Sequence, residues 1–269
     1  MPLYSFFALG WLFVVLLAAL LHLIPKLGTG VAETIRKAPT LDVIVSLFTW
    51  IPPVVAACLS GERSGWCTAA ICFVGQGVGL QTWVWTHELI HRKHAKGPRI
   101  IKFLNQRVGR VRNHLGLWVT VIALPAFLLV RLAELVVWPP LAWLMRFPQY
   151  KQSEWVNCSR HKFDGLVGHD RIWCLYCDWM TGVYSFGAEC LRNVETFWCP
   201  IQFGDQQKCE NCQIDFPDVR EKWVKSNKKM ADVVAAMEEH YPDNRPVNDW
   251  WEHPARLTVK GQTPSAPNQ

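Results

Sequence analysis

"SFFALGWLFVVLLAALLHLI", Ser5 to Ile24, runs for 20 residues without a charged side chain. A helix rises about 1.5 Å per residue, so this is the length that crosses roughly 30 Å of hydrocarbon. A secretory signal would offer a basic start and a small-x-small cleavage site. Here the start, "MPLYSFF", is uncharged and the run ends in "HLIPK", which reads as an uncleaved anchor.

Outward from this run, Leu41 to Leu59 and Trp66 to Trp85 are two further apolar spans joined by "SGERSG", a tight hairpin. A fourth stretch, Leu115 to Met145, is too long for one ordinary span and holds Arg131, Glu134 and Pro139-Pro140. It reads as a broken hairpin or a partly interfacial element, in which Arg131 and Glu134, three residues apart, can pair on a helix. Trp50, Trp66, Trp83, Trp85, Trp118 and Trp138 fall near the ends of these runs and read as an interfacial belt.

The 269 residues carry a formal charge of +6 and are 50% hydrophobic, an average that hides two unlike halves. The expected division is a transmembrane helical domain with a His-rich cytoplasmic loop over 1–147, a Cys/His-rich metal-binding domain over 148–225, and a helix with a disordered tail over 226–269. The expected fold is an all-α membrane protein of about three to five transmembrane or interfacial helices. A small mixed Cys-rich domain of zinc type follows them.

Between the third and fourth runs, "RKHAKGPRIIKFLNQRVGRVRNH" is rich in Lys and Arg and has no acid. The positive-inside tendency places this loop in the cytoplasm, along with the one holding Lys26, Arg36 and Lys37, and leaves the amino terminus outside. A basic loop beside a span points to anionic lipid headgroups as partner and not to nucleic acid. A hairpin in Leu115 to Met145 returns the Cys-rich half to the cytoplasm. Seven of the ten cysteines follow residue 150, and a reducing compartment favours metal-bound thiolates over disulfides there.

In "WVWTHELIHRKHAKG", Trp83 to Gly97, His87, His91 and His94 are spaced i, i+4, i+7 and share an arc of about 60° on a helix. The same residues satisfy H-E-x-x-H, in which two histidines one turn apart bind Zn²⁺ and the Glu between them, Glu88, is general base on metal-bound water. Three imidazoles and a carboxylate at a membrane edge are costly unless paired or ligated; the bland alternative is that they reach the wet interface and bind nothing.

"THELIHR" resembles the first histidine box of the membrane di-iron family of fatty acid desaturases, alkane hydroxylases and xylene monooxygenases. The resemblance covers Gln81 to His94. It implies a cytoplasmic cluster holding two irons that activates O₂ and oxidises a C–H bond of a lipid-like substrate, fed by an electron-donor or membrane-protein partner. His87 and His91 would be iron ligands, with His94 a further candidate. The family's H-x-x-H-H boxes are missing, since no two histidines are adjacent. His114, His161 and His169, with Asp164 and Asp170, are left to complete such a site, should "CSRHKFDGLVGHD" fold back beneath the box. The competing resemblance is to membrane zinc metallopeptidases, whose Asp-Gly ligand element is similar to "FDG", Phe163 to Gly165. A third reading is a non-catalytic membrane assembly or scaffold protein.

"CLYC" (Cys174, Cys177) and "CENC" (Cys209, Cys212) are two C-x-x-C pairs that together predict a Cys₄ zinc site of ribbon type. The knuckle glycine that usually follows the second Cys is replaced by Asp178 and Gln213. Gly182 and Gly187 read as breakers in the aromatic-rich segment between the pairs.

Overall fold

A computed structural model describes residues 2–61, 65–145, 147, 149–215 and 222–240. The tail expected at the carboxyl terminus lies outside them. Among the described residues the chain is helical, with no strand beyond isolated bridges. It divides into two compact units. The first joins Met1–Ala123 to Val156–Thr181, and the second joins Leu124–Trp155 to Gly182–Gln269.

The first unit opens with α1 (Leu3–Leu23), followed by α2 (Thr29–Ile35), α3 (Thr40–Phe48), α4 (Ile51–Ser60) and α5 (Gly65–Ile90). The chain then continues through the short α6 (Arg92–Lys96), α7 (Ile100–Val108) and α8 (Arg110–Val121). Three stretches are long and apolar enough to cross a membrane: Leu3–Leu23, Gly65–Ile90 and Arg110–Met145. The pair α3 and α4 makes a fourth if taken together, bent by 52°.

That bend replaces the single straight span expected over Leu41 to Leu59, and the cause is local. Pro52 and Pro53 open α4, where a proline needs no hydrogen-bonded N–H. Pro52 therefore cannot donate to the carbonyl one turn back, that of Phe48. Gln76 of α5, itself buried, donates its Nε2 to Phe48 O at 3.1 Å and satisfies the orphaned group.

α1 packs on α5 with both numberings rising together. Gly10 lies against Cys72, Trp11 against Gly79, and His22 against His87 and His91. Trp11 Nε1 also donates to Thr82 Oγ1 at 3.0 Å. The two helices are thus parallel, and the bent α3–α4 pair lies between them in the chain. Glycines make the approach possible. A Cβ on Gly75 would meet the Phe7 carbonyl, one on Gly10 the Cys72 carbonyl, and one on Gly79 would sit 2.7 Å from Trp11 O. Glycine at such positions lets two helix backbones approach closely.

The segment returning to the first unit is laced to the residues after α2. Ala38 N donates to Val156 O at 3.0 Å and Cys158 N to Arg36 O at 2.8 Å. It leads into α12 (His169–Trp198), which begins in this unit and ends in the other.

The second unit contains α9 (Leu124–Val136), α10 (Trp138–Met145), α11 (Gln152–Trp155), the later part of α12, α13 (Gln206–Asp215) and α14 (Met230–His240). Its core gathers Trp138, Phe147, Tyr150, Trp155, Val183 and Phe186. The Arg131–Glu134 pair forms at 2.7 Å, fully buried, and Arg131 also donates to Gln152 Oε1 at 2.9 Å. A second buried network joins Tyr150, Glu189, Arg192 and Asn193, with Tyr150 Oη donating to Glu189 Oε1 at 2.8 Å and Arg192 to the same oxygen at 2.7 Å.

The mixed Cys-rich fold expected for the carboxyl-terminal half is corrected by these helices. Without knuckle glycines the chain runs through both C-x-x-C motifs as helix, on α12 and α13. Gly182 and Gly187 lie inside α12 and do not break it. A Cβ on Gly187 would come within 3.0 Å of Val130 Cγ1 and 3.1 Å of Glu134 Oε1, so this glycine serves close helix packing. Of the tryptophans expected in an interfacial belt, Trp50, Trp66, Trp85 and Trp118 are exposed, Trp83 is half-buried and Trp138 is buried.

Candidate functional site

The box sits where α5 ends. Its helix runs five residues past the apolar stretch, to Ile90, so that His87 and Glu88 extend the span and His91 follows at a turn. The ring centroids of His87 and His91 are 4.4 Å apart, and His22, from the last turn of α1, lies 5.7 Å from His87 and 6.0 Å from His91. Trp83 covers His87 at 4.6 Å. The buried Nε2 of His91 has no hydrogen-bond partner.

On the other side of Glu88, His169 opens α12 and stacks on His114 of α8 at 5.4 Å. His169 Nδ1 is 3.8 Å from Glu88 Oε1, and its Nε2 is 3.1 Å from Gln81 Oε1. The buried His114 Nδ1 is likewise without a partner. Burial lowers the His169 pKa, against the pull of Glu88, so the ring is held neutral. Asp170 is buried beside it.

Arg99, placed by the extended residue before α7, binds both carboxylates. Its Nε donates to Asp170 Oδ2 at 2.9 Å, and its NH2 to Glu88 Oε1 at 2.9 Å and to Val167 O at 3.0 Å. Asp170 Oδ1 accepts from Ile101 N at 2.9 Å. Burial works against the charge on Arg99, but its bonds to the two carboxylates outweigh this and raise its pKa. The general-base carboxylate of the H-E-x-x-H pattern is therefore engaged by a guanidinium.

Gly168 ties the returning segment to the box. Its N–H donates to His87 Nδ1 at 3.3 Å, its φ is +54°, and a Cβ there would collide with Glu88 Oε1. Gly168→Ala is expected to cost about 1–2 kcal/mol in backbone strain alone, with the carboxylate clash in addition. A thermal melt of this variant within a degree of the parent would contradict that placement.

The other expected ligands are placed elsewhere. His161 is held by Arg36, whose NH1 lies 2.8 Å from Nε2, while Nδ1 faces Cys158 O at 2.8 Å. This pattern fits a neutral ring protonated at Nδ1; burial lowers its pKa. His94 and Asp164 are exposed, with His94 Nδ1 near Gly165. Two residues of this cluster were not among the expected ligands: His22 lies inside the first apolar run and Arg99 inside the basic loop. A lone imidazole in an otherwise apolar run was the available signal for His22.

Cys174 and Cys177 lie in the first unit and Cys209 in the second, all as free thiols; the Cys212 side chain lies outside those described. Cys158 is buried, which pushes its thiol up to about 12. Among the described residues, no group of three or more His, Cys, Asp or Glu side chains is arranged to hold a metal ion as it stands. No protein-family model, curated protein or solved structure matches the chain.

Proposed function

We propose that this chain is an integral membrane protein whose imidazoles at the ends of α1 and α5 take a first-row transition-metal ion, and that this centre oxidises a lipid-like substrate. The observation that carries the reading is the approach of His22, His87 and His91 to within 6.0 Å of one another, with the buried His91 Nε2 lacking a partner. Imidazole suits iron, copper and zinc alike; redox iron is the choice that would supply oxidation. A site at the ends of two lipid-length helices would be reached by a substrate from the bilayer. The rings must turn to converge, and His87 must release the long contact from Gly168 N–H. Arg99 already engages Glu88 and Asp170, the carboxylates a second ion would need, so the proposal is for one ion and not two.

The Gly168–His87 bond and the Arg99 ion triad favour a second reading: a metal-free polar clamp fastening the returning segment to the spans of a scaffold protein. Metal counting of the detergent-purified chain by plasma mass spectrometry separates the two. About one iron per chain, lost in His87→Ala/His91→Ala, is the expected result. A chain with no transition metal, or with zinc that survives the double substitution, leaves the clamp.

A further inference from the structure

We propose that Cys174 and Cys177 form a redox-active dithiol that exchanges with low-molecular-weight disulfides, Cys177 attacking and Cys174 closing an intrahelical disulfide. The inference is independent of the histidine centre.

The two thiols stand one turn apart on α12, Cys177 exposed and Cys174 half-buried. Arg160, from the loop before α12, has its guanidinium near the Cys177 sulfur and 4.0 Å from Asp178 Oδ1. That loop is pinned to the same helix, because Asp178 Oδ2 accepts from Ser159 N at 2.6 Å and from Arg160 N at 2.8 Å. Backbone bonds thus hold the loop that carries Arg160 against α12, while the Arg160 side chain itself is half exposed. A cation near the sulfur meets the negative charge that develops there during exchange and opposes a bound metal cation, which argues against zinc on this pair. Burial raises the Cys174 pKa, which suits the second thiol of the sequence and not the attacking one.

Helix geometry permits the bond. Residues three apart have Cα atoms about 5 Å apart, inside the disulfide range of roughly 4.4–6.8 Å. Their Cβ atoms, about 5–6 Å apart, are wider than a relaxed disulfide allows, so closing it strains the helix and makes the bond readily reducible.

The exchange balances in two steps. The Cys177 thiolate attacks one sulfur of a disulfide RS–SR, forming Cys177–S–SR and releasing RS⁻. Cys174, losing its proton to solvent, then attacks the Cys177 sulfur and expels the second RS⁻. Two protein thiols are oxidised, one disulfide is reduced, and the two protons end on two RSH.

The test treats the full-length chain in lipid nanodiscs with oxidised glutathione and locates the products by peptide mass mapping. A Cys174–Cys177 disulfide without retained glutathione is expected in the parent protein. Cys174→Ser should accumulate a glutathione adduct on Cys177, Cys177→Ser should leave Cys174 unmodified, and Arg160→Gln should slow the reaction by about tenfold. A parent protein that stays reduced or keeps an unresolved adduct, a Cys177→Ser protein that reacts at Cys174 at the parental rate, or an Arg160→Gln protein as fast as the parent overturns the assignment.

Discussion

Gly75→Leu is expected to separate α1 from α5 and cost the protein its monodisperse state. The Cβ alone would meet the Phe7 carbonyl, a backbone atom that cannot rotate away, and the remaining leucine carbons have no seat between the helices. Even Gly75→Ala should cost about 1–3 kcal/mol as overpacking. Gly77→Ala is the matched control, because the nearest atom to its Cβ would be Trp118 Cη2 at 4.0 Å, an ordinary contact. Size-exclusion profiles after graded heating report both. A Gly75→Leu protein that survives the same temperatures as Gly77→Ala would show that α1 does not approach α5 closely at this glycine.

Arg99→Met should be nearly as damaging. It removes a guanidinium that is 5% exposed and strands Asp170, 6% exposed, beside Glu88, 26% exposed. Breaking a buried ion pair from one side typically costs about 3–5 kcal/mol, and most of that should come from Asp170, since Glu88 keeps some contact with water. Arg99→Lys should recover little, as one ammonium cannot reproduce a fork that reaches two carboxylates and the Val167 carbonyl. Adding Glu88→Gln and Asp170→Asn to Arg99→Met should restore much of the loss, because the stranded charges are then gone. Thermal unfolding of the three variants in one detergent provides the comparison. An Arg99→Met midpoint equal to the parent's would mean that the triad carries no net stability.

Much of the architecture could be read from the chain because uncharged runs of membrane length have few other uses. The misreadings have two causes: partners distant in sequence, and local backbone geometry that hydropathy does not report. Hydropathy stops near Trp85, but helical hydrogen bonds are indifferent to it and carry α5 on to Ile90, bringing the box onto the span. Pro52-Pro53 was a legible signal for the bend, whereas the repair of that bend by Gln76 was not, since it depends on α5 lying alongside. His22 joins the other two imidazoles only because α1 runs parallel to α5, which no local pattern states, although Gly75 and Gly79, four apart, are the small residues a tight helix contact uses. Arg99 looked like one cation among many until Asp170 was placed beside it. The absent knuckle glycines had already marked both C-x-x-C motifs as unusual, and helix is what replaces the knuckles.

The parallel pairing of α1 with α5 also sets an order of assembly. α1 is complete before α5 has been made, and the proline-bent pair must be laid down between them. On the membrane reading, α1 waits in lipid without its partner, which an uncharged helix can tolerate. Two of the glycine seats, Gly75 and Gly79, arrive on the later helix. The joint therefore closes from the newer side, and until it does His22 has neither His87 nor His91 beside it. The histidine centre is in this sense a product of the last docking event among the early spans, and a chain stalled before Gly65 would carry only one of its imidazoles.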